Sequence, residues 1–269
     1  MPTTYTHYRF GLQVAERLPE DLKQIIYEYP ELFYTGVHGP DILFYYFPWA
    51  KNKVNILGND MHTWSGRKLF SMAGDVVKAG GFDRRDLSYM FGYLCHFALD
   101  RQAHAIVDLE AKRVGSTHTE IEAELDRILL VRDGYDPIRK ILTKHLHPSL
   151  ENAKVIAKFC PGVSVQQVLT AQKMNVFFLN QLVSPLRLKR QFLFGLLKVA
   201  GMYEGYKGLF INYQPNPACK EPVEKLLVRY DNAIPEAVTF ITDFADTVQG
   251  DKPWNPLFAY NFDGQLTED

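Results

Sequence analysis

The stretch Tyr93-Leu94-Cys95-His96-Phe97-Ala98-Leu99-Asp100-Arg101-Gln102-Ala103-His104 constrains this chain most, because it sets three metal-ligating side chains at four-residue spacing within an apolar segment. On a helix each step of four advances about 40° beyond a full turn, so His96, Asp100 and His104 share one face. The two histidines lie roughly 12 Å apart along the axis, too far for one ion that takes nitrogen ligands at about 2.0–2.1 Å. Asp100, midway between them, has one oxygen for each of two ions. The spacing therefore predicts a polynuclear site. A histidine in an apolar helix is ordinarily a hydrogen-bonded core residue. Here, however, residues 86–112 are apolar on almost every side (Met90, Phe91, Tyr93, Leu94, Phe97, Leu99, Ile106, Val107), which marks a buried central helix. An unpaired carboxylate inside such a helix is costly, and coordination removes the cost, which favours metal over simple packing.

The rest of the chain reads as helix after helix. Apolar residues recur at three and four over 6–18 and 19–29 (Phe10, Val14, Leu18; Leu22, Ile25, Ile26), with His7 near the start of the first run. The link Gly36-Val37-His38-Gly39-Pro40-Asp41 is rich in breakers and places Asp41 just after a proline, where a short helix can begin. His38 beside it reads as a pocket wall, and so a substrate-binding candidate, or as a surface turn. His62 precedes an amphipathic run over 63–78 and is expected near the start of that helix. Beyond the central helix, Gly115-Ser116-Thr117 offers an N-cap to a helix carrying His118 and Glu122, again four apart on one face. That pair suits a second ion, or is a surface His/Glu pair.

The second half carries less chemistry. Helices are expected over 137–145, 148–159, 163–183, 185–203 and 223–248, the last broken at Pro235, after a loop over 213–222. His145 and His147 read as dipole partners of a helix C-terminus. The basic, apolar stretch 186–192 reads as a solvated face or as a transient contact with an anionic membrane surface. Phosphate-binding glycine motifs and long alternating strands are absent from the sequence, as are repeats.

Composition narrows the class. With 269 residues, 46% of them hydrophobic, the chain can bury a large core, and it is expected to form a single all-helical domain over 1–269. Thirty basic against 31 acidic residues give a net charge of −1, which provides no electrostatic case for a stable nucleic-acid partner. Cys95, Cys160 and Cys219 are odd in number and at no metal-like spacing, so a disulfide framework is not expected. The first residues lack a basic region followed by an apolar one, and apolar runs such as 192–197 are too short to span a bilayer, so a cytoplasmic location is expected.

His7, GPD with Asp41, NDMH with His62, HFALDRQAH with His96, Asp100 and His104, and HTEIE with His118 and Glu122 together resemble the ordered ligand set of the bacterial zinc-dependent phospholipase C family. The fungal single-strand nucleases share that fold. The resemblance covers roughly residues 5–125 and implies an all-α, multi-helix domain of the phospholipase C/single-strand nuclease type with a buried polynuclear metal site. It implies that Asp41, His62, His96 and Asp100 hold one zinc, that His104, His118 and Glu122 hold a second, and that His7 with bridging Asp100 begins a third. In secreted relatives an N-terminal tryptophan completes the third site; here Met1, or Pro2 after loss of Met1, would have to serve. The spacing from Asp100 to His104 is also slightly shorter than in those enzymes. The implied reaction is hydrolysis of a phosphate diester, with Asp41 as the residue that holds or deprotonates water. A phospholipid is the favoured substrate. A nuclease or another phosphoesterase on the same fold, and a non-catalytic helical protein stapled by metal, are the alternatives. Aromatics near the site (Tyr34, Phe44, Tyr45, Tyr46, Phe47, Trp64) would wall a lipid, stack on a base, or simply fill the core. An HD-type phosphohydrolase would need an adjacent His-Asp pair, and a di-iron bundle would need ExxH spacing; neither is present.

Overall fold

The computed structural model describes residues 4–250 and 252–267. In chain order it contains α1 (Thr4–Ala15), α2 (Glu20–Glu28), α3 (Pro30–Gly36), a 3-10 segment at Gly39–Tyr45, α4 (Lys53–Thr63), α5 (Gly66–Ala79) and α6 (Arg84–Val114). There follow α7 (His118–Arg132), α8 (Leu150–Ala157), α9 (Val165–Leu182), α10 (Arg187–Val199), α11 (Tyr203–Tyr206) and α12 (Lys220–Gln249). Among the described residues there is no strand, only an isolated bridge between Tyr260 and Leu266. The chain is all-α, as its periodicity predicts.

α6 is the axis. Asp83 caps its start and Gly115, in a left-handed conformation, ends it. Because α6 is apolar on every side over its middle turns, it has no solvent face to offer and is wrapped by α1, α3 and α12. The closest crossing is with α3, where Gly36 and Gly92 meet. A Cβ on Gly36 would lie 2.2 Å from the Tyr89 carbonyl oxygen, and one on Gly92 would lie 2.2 Å from that of Phe33. Backbone therefore touches backbone, which brings the segment after α3 directly over His96. One turn along, Phe97 packs against Phe70, Phe240 and Phe262 with ring centroids 5.0–5.6 Å apart. Burial of each such ring contributes about 1.5–3 kcal/mol, so the apolar core anchors the helix that carries the polar site.

Several sequence expectations are corrected. α4 forms where no helix is expected, because Asn52 and Asn55 make a reciprocal capping box, and His62 lies in its last turn rather than opening the next helix. Residues 137–145 form turns, not a helix: Thr143 donates to Asn180 and His145 reaches His38, contacts with distant segments that replace local helical ones. α12 runs unbroken through Pro235. That proline and Asp231, whose carbonyl loses its donor, lie on the exposed side of the helix, while Ala233, Ile234, Ala237 and Phe240 stay buried. His145 is not a dipole partner; it is buried, stacked on Tyr8 at 4.0 Å and hydrogen-bonded to His38. The three cysteines are free and buried. No helix among the described residues is long and apolar enough to cross a membrane.

Candidate metal centre

The face of α6 predicted from four-residue spacing points into a cluster built by five elements. Asp100 is its hub: Oδ1 lies 3.2 Å from His7 Nε2 on α1, and Oδ2 lies 3.2 Å from His96 Nε2 and 3.3 Å from His104 Nε2. Asp41, from the 3-10 segment, places Oδ1 3.0 Å from His62 Nε2 at the end of α4 and 4.0 Å from His96 Nε2. On α7, His118 Nε2 sits 3.0 Å from Glu122 Oε1. These residues fall into three groups, Asp41/His62/His96, His7/His96/Asp100 and His104/His118/Glu122, each with one potential ligand atom per residue lying within 4.8 Å of the others. His96 is common to the first two groups, and the contact of Asp100 with His104 links the second to the third.

Local structure explains how each side chain arrives. Asp126 of α7 accepts the Tyr5 and Thr6 backbone N–H groups at 3.3 and 2.8 Å and the Thr6 hydroxyl at 2.6 Å, which ties down the first turn of α1 and with it His7. Gly39 has φ +48°, and a Cβ there would lie 2.3 Å from Cδ2 of His96. Only glycine lets the chain pass over that imidazole and present Asp41 beyond it.

Three rings are oriented from behind. His62 Nδ1 donates to the Gly58 carbonyl at 2.7 Å, His104 Nδ1 to Asp263 at 2.9 Å and His118 Nδ1 to Asp108 at 2.7 Å. Each bond fixes the proton on the outer nitrogen and turns a lone pair on Nε2 inward, the arrangement found around ligated histidines. Nε2 of His62, His96 and His104, Nδ1 of His7 and Oε2 of Glu122 are buried and make no hydrogen bond. Each unsatisfied buried group costs about 1–3 kcal/mol, and divalent ions would satisfy them together. The residues present therefore fit zinc. Without metal, the charges are strongly coupled. Against the burial that opposes it, Asp100 and Asp263 raise His104 to about 9, and Glu122 and Asp108 raise His118 to about 9. Against their own burial, Asp41 is held low by neighbours that include His62 and His96, and Asp100 by His104, His96 and His7.

The cluster opens on a cavity of about 810 Å³. His62, His104, His118 and Asp263 form one wall, and the others come from Phe44, Tyr45 and Trp49, from Phe177, Phe178 and Leu182, and from Leu193, Leu196 and Leu197. Of the aromatics expected near the site, Phe44 and Tyr45 line this cavity, while Tyr34, Tyr46 and Trp64 pack against the core. His38 is buried behind the cluster, where its Nε2 meets His145 Nε2 at 2.9 Å. Burial holds both rings of that pair below their ordinary range, so one neutral ring donates to the other.

Sequence reasoning missed Asp108, Asp263 and the Gly58 carbonyl. Asp108 lies four residues beyond His104 on the metal-bearing helix, which is the one local signal available; Asp263 is 159 residues from its partner and leaves none. No curated protein and no solved structure matches the chain. The sequence profile of zinc dependent phospholipase C matches residues 6–173, which contain His7, Asp41, His62, His96, Asp100, His104, His118 and Glu122. With that match over more than half of its length and the metal-capable groups in place, the chain belongs to the zinc-dependent phospholipase C family.

Proposed function

We propose that the chain hydrolyses a phospholipid at the phosphate diester, on the glycerol side, to release diacylglycerol and a phosphorylated head group. One observation carries this reading: three of the candidate ligands, His62, His104 and His118, line a large apolar cavity that has no Lys or Arg among its described lining residues. A site for nucleic acid would need cations along its walls to meet successive phosphates. A purely structural metal site would be closed, whereas His62, His104 and His118 face open volume.

In this reading Asp41, His62, His96 and Asp100 hold one zinc, and His104, His118 and Glu122 hold a second. His7 and Asp100 begin a third, whose remaining ligands, Met1 or Pro2, lie outside the described residues. When bound, zinc supplies electrophilic charge for the phosphate and acidity for the attacking water. Asp41, held ionised, accepts a hydrogen bond from that water and fixes its approach. Asp108 and Asp263 keep His118 and His104 in the ligating tautomer, and Phe44, Phe178 and Leu197 exclude bulk water around the ester. Three carboxylates, Asp41, Asp100 and Glu122, leave two or three divalent ions with residual positive charge for the anionic transition state.

The test is elemental mass spectrometry of protein purified without chelator, together with product analysis on phosphatidylcholine mixed micelles. Two or three zinc per chain, loss of more than one in Asp100→Ala, and release of diacylglycerol that Asp41→Asn abolishes are expected. A zinc-loaded chain that cleaves single-stranded DNA and leaves phospholipid intact would overturn the lipid assignment.

A further inference from the structure

α10 has two unlike faces. Leu193 and Leu197 turn inward and line the cavity, while Leu188, Phe192, Leu196 and Val199 point outward with exposures of 82, 67, 52 and 91%. At 100° per residue the four outward side chains occupy an arc of about 80°, a continuous apolar stripe on the protein surface. Cations flank it: Lys189 follows Leu196 around the helix, and on the other side Arg187 and Lys198 lie beyond Gly195 and Gln191. The helix carries no acidic residue. Some surface lysines elsewhere are paired, as Lys154 is with Glu151, Lys225 with Glu110 and Lys252 with Asp246. Arg187, Lys189 and Lys198 have no carboxylate partner among the described residues; Lys189 donates to the Val183 carbonyl at 2.8 Å, and Arg187 and Lys198 lie over the rings of Tyr213 and Tyr203.

The stripe is also joined to the cavity. Leu196 belongs to both, and Trp49 and Phe177, 59 and 58% exposed, likewise lie partly in the cavity wall and partly in solvent. We infer that the outer face of α10, with Trp49 and Phe177 beside the cavity mouth, seats the protein on an anionic lipid bilayer and draws its substrate from that surface. The inference rests on the phospholipid reading of the cavity. An apolar stripe flanked by cations that no carboxylate neutralises matches the interfacial region of such a membrane, where apolar side chains enter the acyl boundary and lysine or arginine meets the head groups. A second copy of this chain fits less well. A helix about 20 Å long offers far less than the roughly 800 Å² per partner of a stable protein interface. Two-fold pairing would also set like charges against each other.

The test uses the zinc-loaded full chain and two surface variants, Leu188→Glu/Phe192→Glu and Arg187→Gln/Lys198→Gln, none of which alters a residue lining the cavity. Co-sedimentation is measured with phosphatidylcholine/phosphatidylserine vesicles and with phosphatidylcholine vesicles. Hydrolysis is measured on the same vesicles and on a short-chain phosphatidylcholine kept monomeric. The native chain is expected to bind the anionic vesicles more tightly, with binding weakened by salt. The apolar variant should lose at least about tenfold in vesicle binding and vesicle hydrolysis, consistent with two side chains no longer buried in the bilayer. Both variants should hydrolyse the monomeric lipid at the native rate. Equal vesicle binding by native and apolar-variant protein overturns the inference. So does a concentration-dependent dimer, seen by sedimentation velocity and abolished by Leu188→Glu/Phe192→Glu, in a chain that does not bind vesicles. Vesicle binding that depends on the stripe, with no hydrolysis of either lipid form, sustains the docking surface and refutes the phospholipase reading instead.

Discussion

Replacing Gly39 by alanine tests whether the backbone over His96 is as tight as the structure requires. Two effects add. Gly39 has φ +48°, and a side chain in the left-handed region costs about 1–2 kcal/mol. The new Cβ would also lie 2.3 Å from His96 Cδ2 and 2.9 Å from its Nε2. The imidazole has little room to retreat, since His7 stacks on it at 4.5 Å and the Phe262 ring lies 5.7 Å away. Overpacking of this kind costs about 1–3 kcal/mol, so the total is about 2–5 kcal/mol. Urea denaturation of the chelator-treated protein should show the midpoint falling by about 1–2 M, for a slope of a few kcal/mol per molar. Zinc content should fall as well, because the displaced atoms include a candidate ligand. Gly81→Ala is the control: φ there is +67° with no atom within 4 Å of the added Cβ, so it should show the conformational cost alone and keep its zinc. Equal midpoints for the two variants, with full zinc in Gly39→Ala, would refute the close contact and the placement of His96.

Asp263→Ala removes the acceptor of His104 Nδ1 from a half-exposed loop, so competition with a chromophoric chelator should show one zinc bound about 10- to 100-fold more weakly with stability nearly unchanged. Asp126→Ala leaves the Tyr5 and Thr6 N–H groups without their acceptor and should lower unfolding free energy by about 1–3 kcal/mol in thermal or urea melts; an unchanged melt would mean that α1 does not depend on this cap. In chelator-treated protein His104 and His118 are raised to about 9 from an ordinary 6.5. A raised folded-state value gives stability that is fully present below 6.5 and lost as pH rises through 9. Melts of the metal-free protein should weaken over that window. Zinc affinity, which requires neutral rings, should rise over the same window. A metal-free melt that is flat between those limits would contradict the two raised histidines.

Much of the candidate site is legible in sequence because helical periodicity is local. Four-residue steps place His96, Asp100 and His104 on one face, and His118 and Glu122 on another, whatever the rest of the chain does. The apolar character of residues 86–112 likewise requires burial of α6, and so an all-helical wrap around it. What sequence leaves open depends on contacts between distant segments. Pro235 looks like a break until α12 is seen with that residue on its wet face. Residues 137–145 look helical until Thr143 is seen bonded to Asn180 and His145 to His38. His38 looks like a pocket residue until its ring is found against His145, which is 107 positions away. The outward stripe of α10 is partly of the same class: the basic, apolar stretch 186–192 is visible in sequence, but that Leu196 and Val199 extend its uncovered face is not. Local spacing thus determined that His96, Asp100, His104, His118 and Glu122 can face metal, while His7, Asp41 and His62 join them only through the fold. Only tertiary packing decided which ring nitrogens face inward, through Asp108 and Asp263, and that the metal-capable face opens on an apolar cavity, because those partners and walls are brought together by chain return rather than by any repeat of the helix.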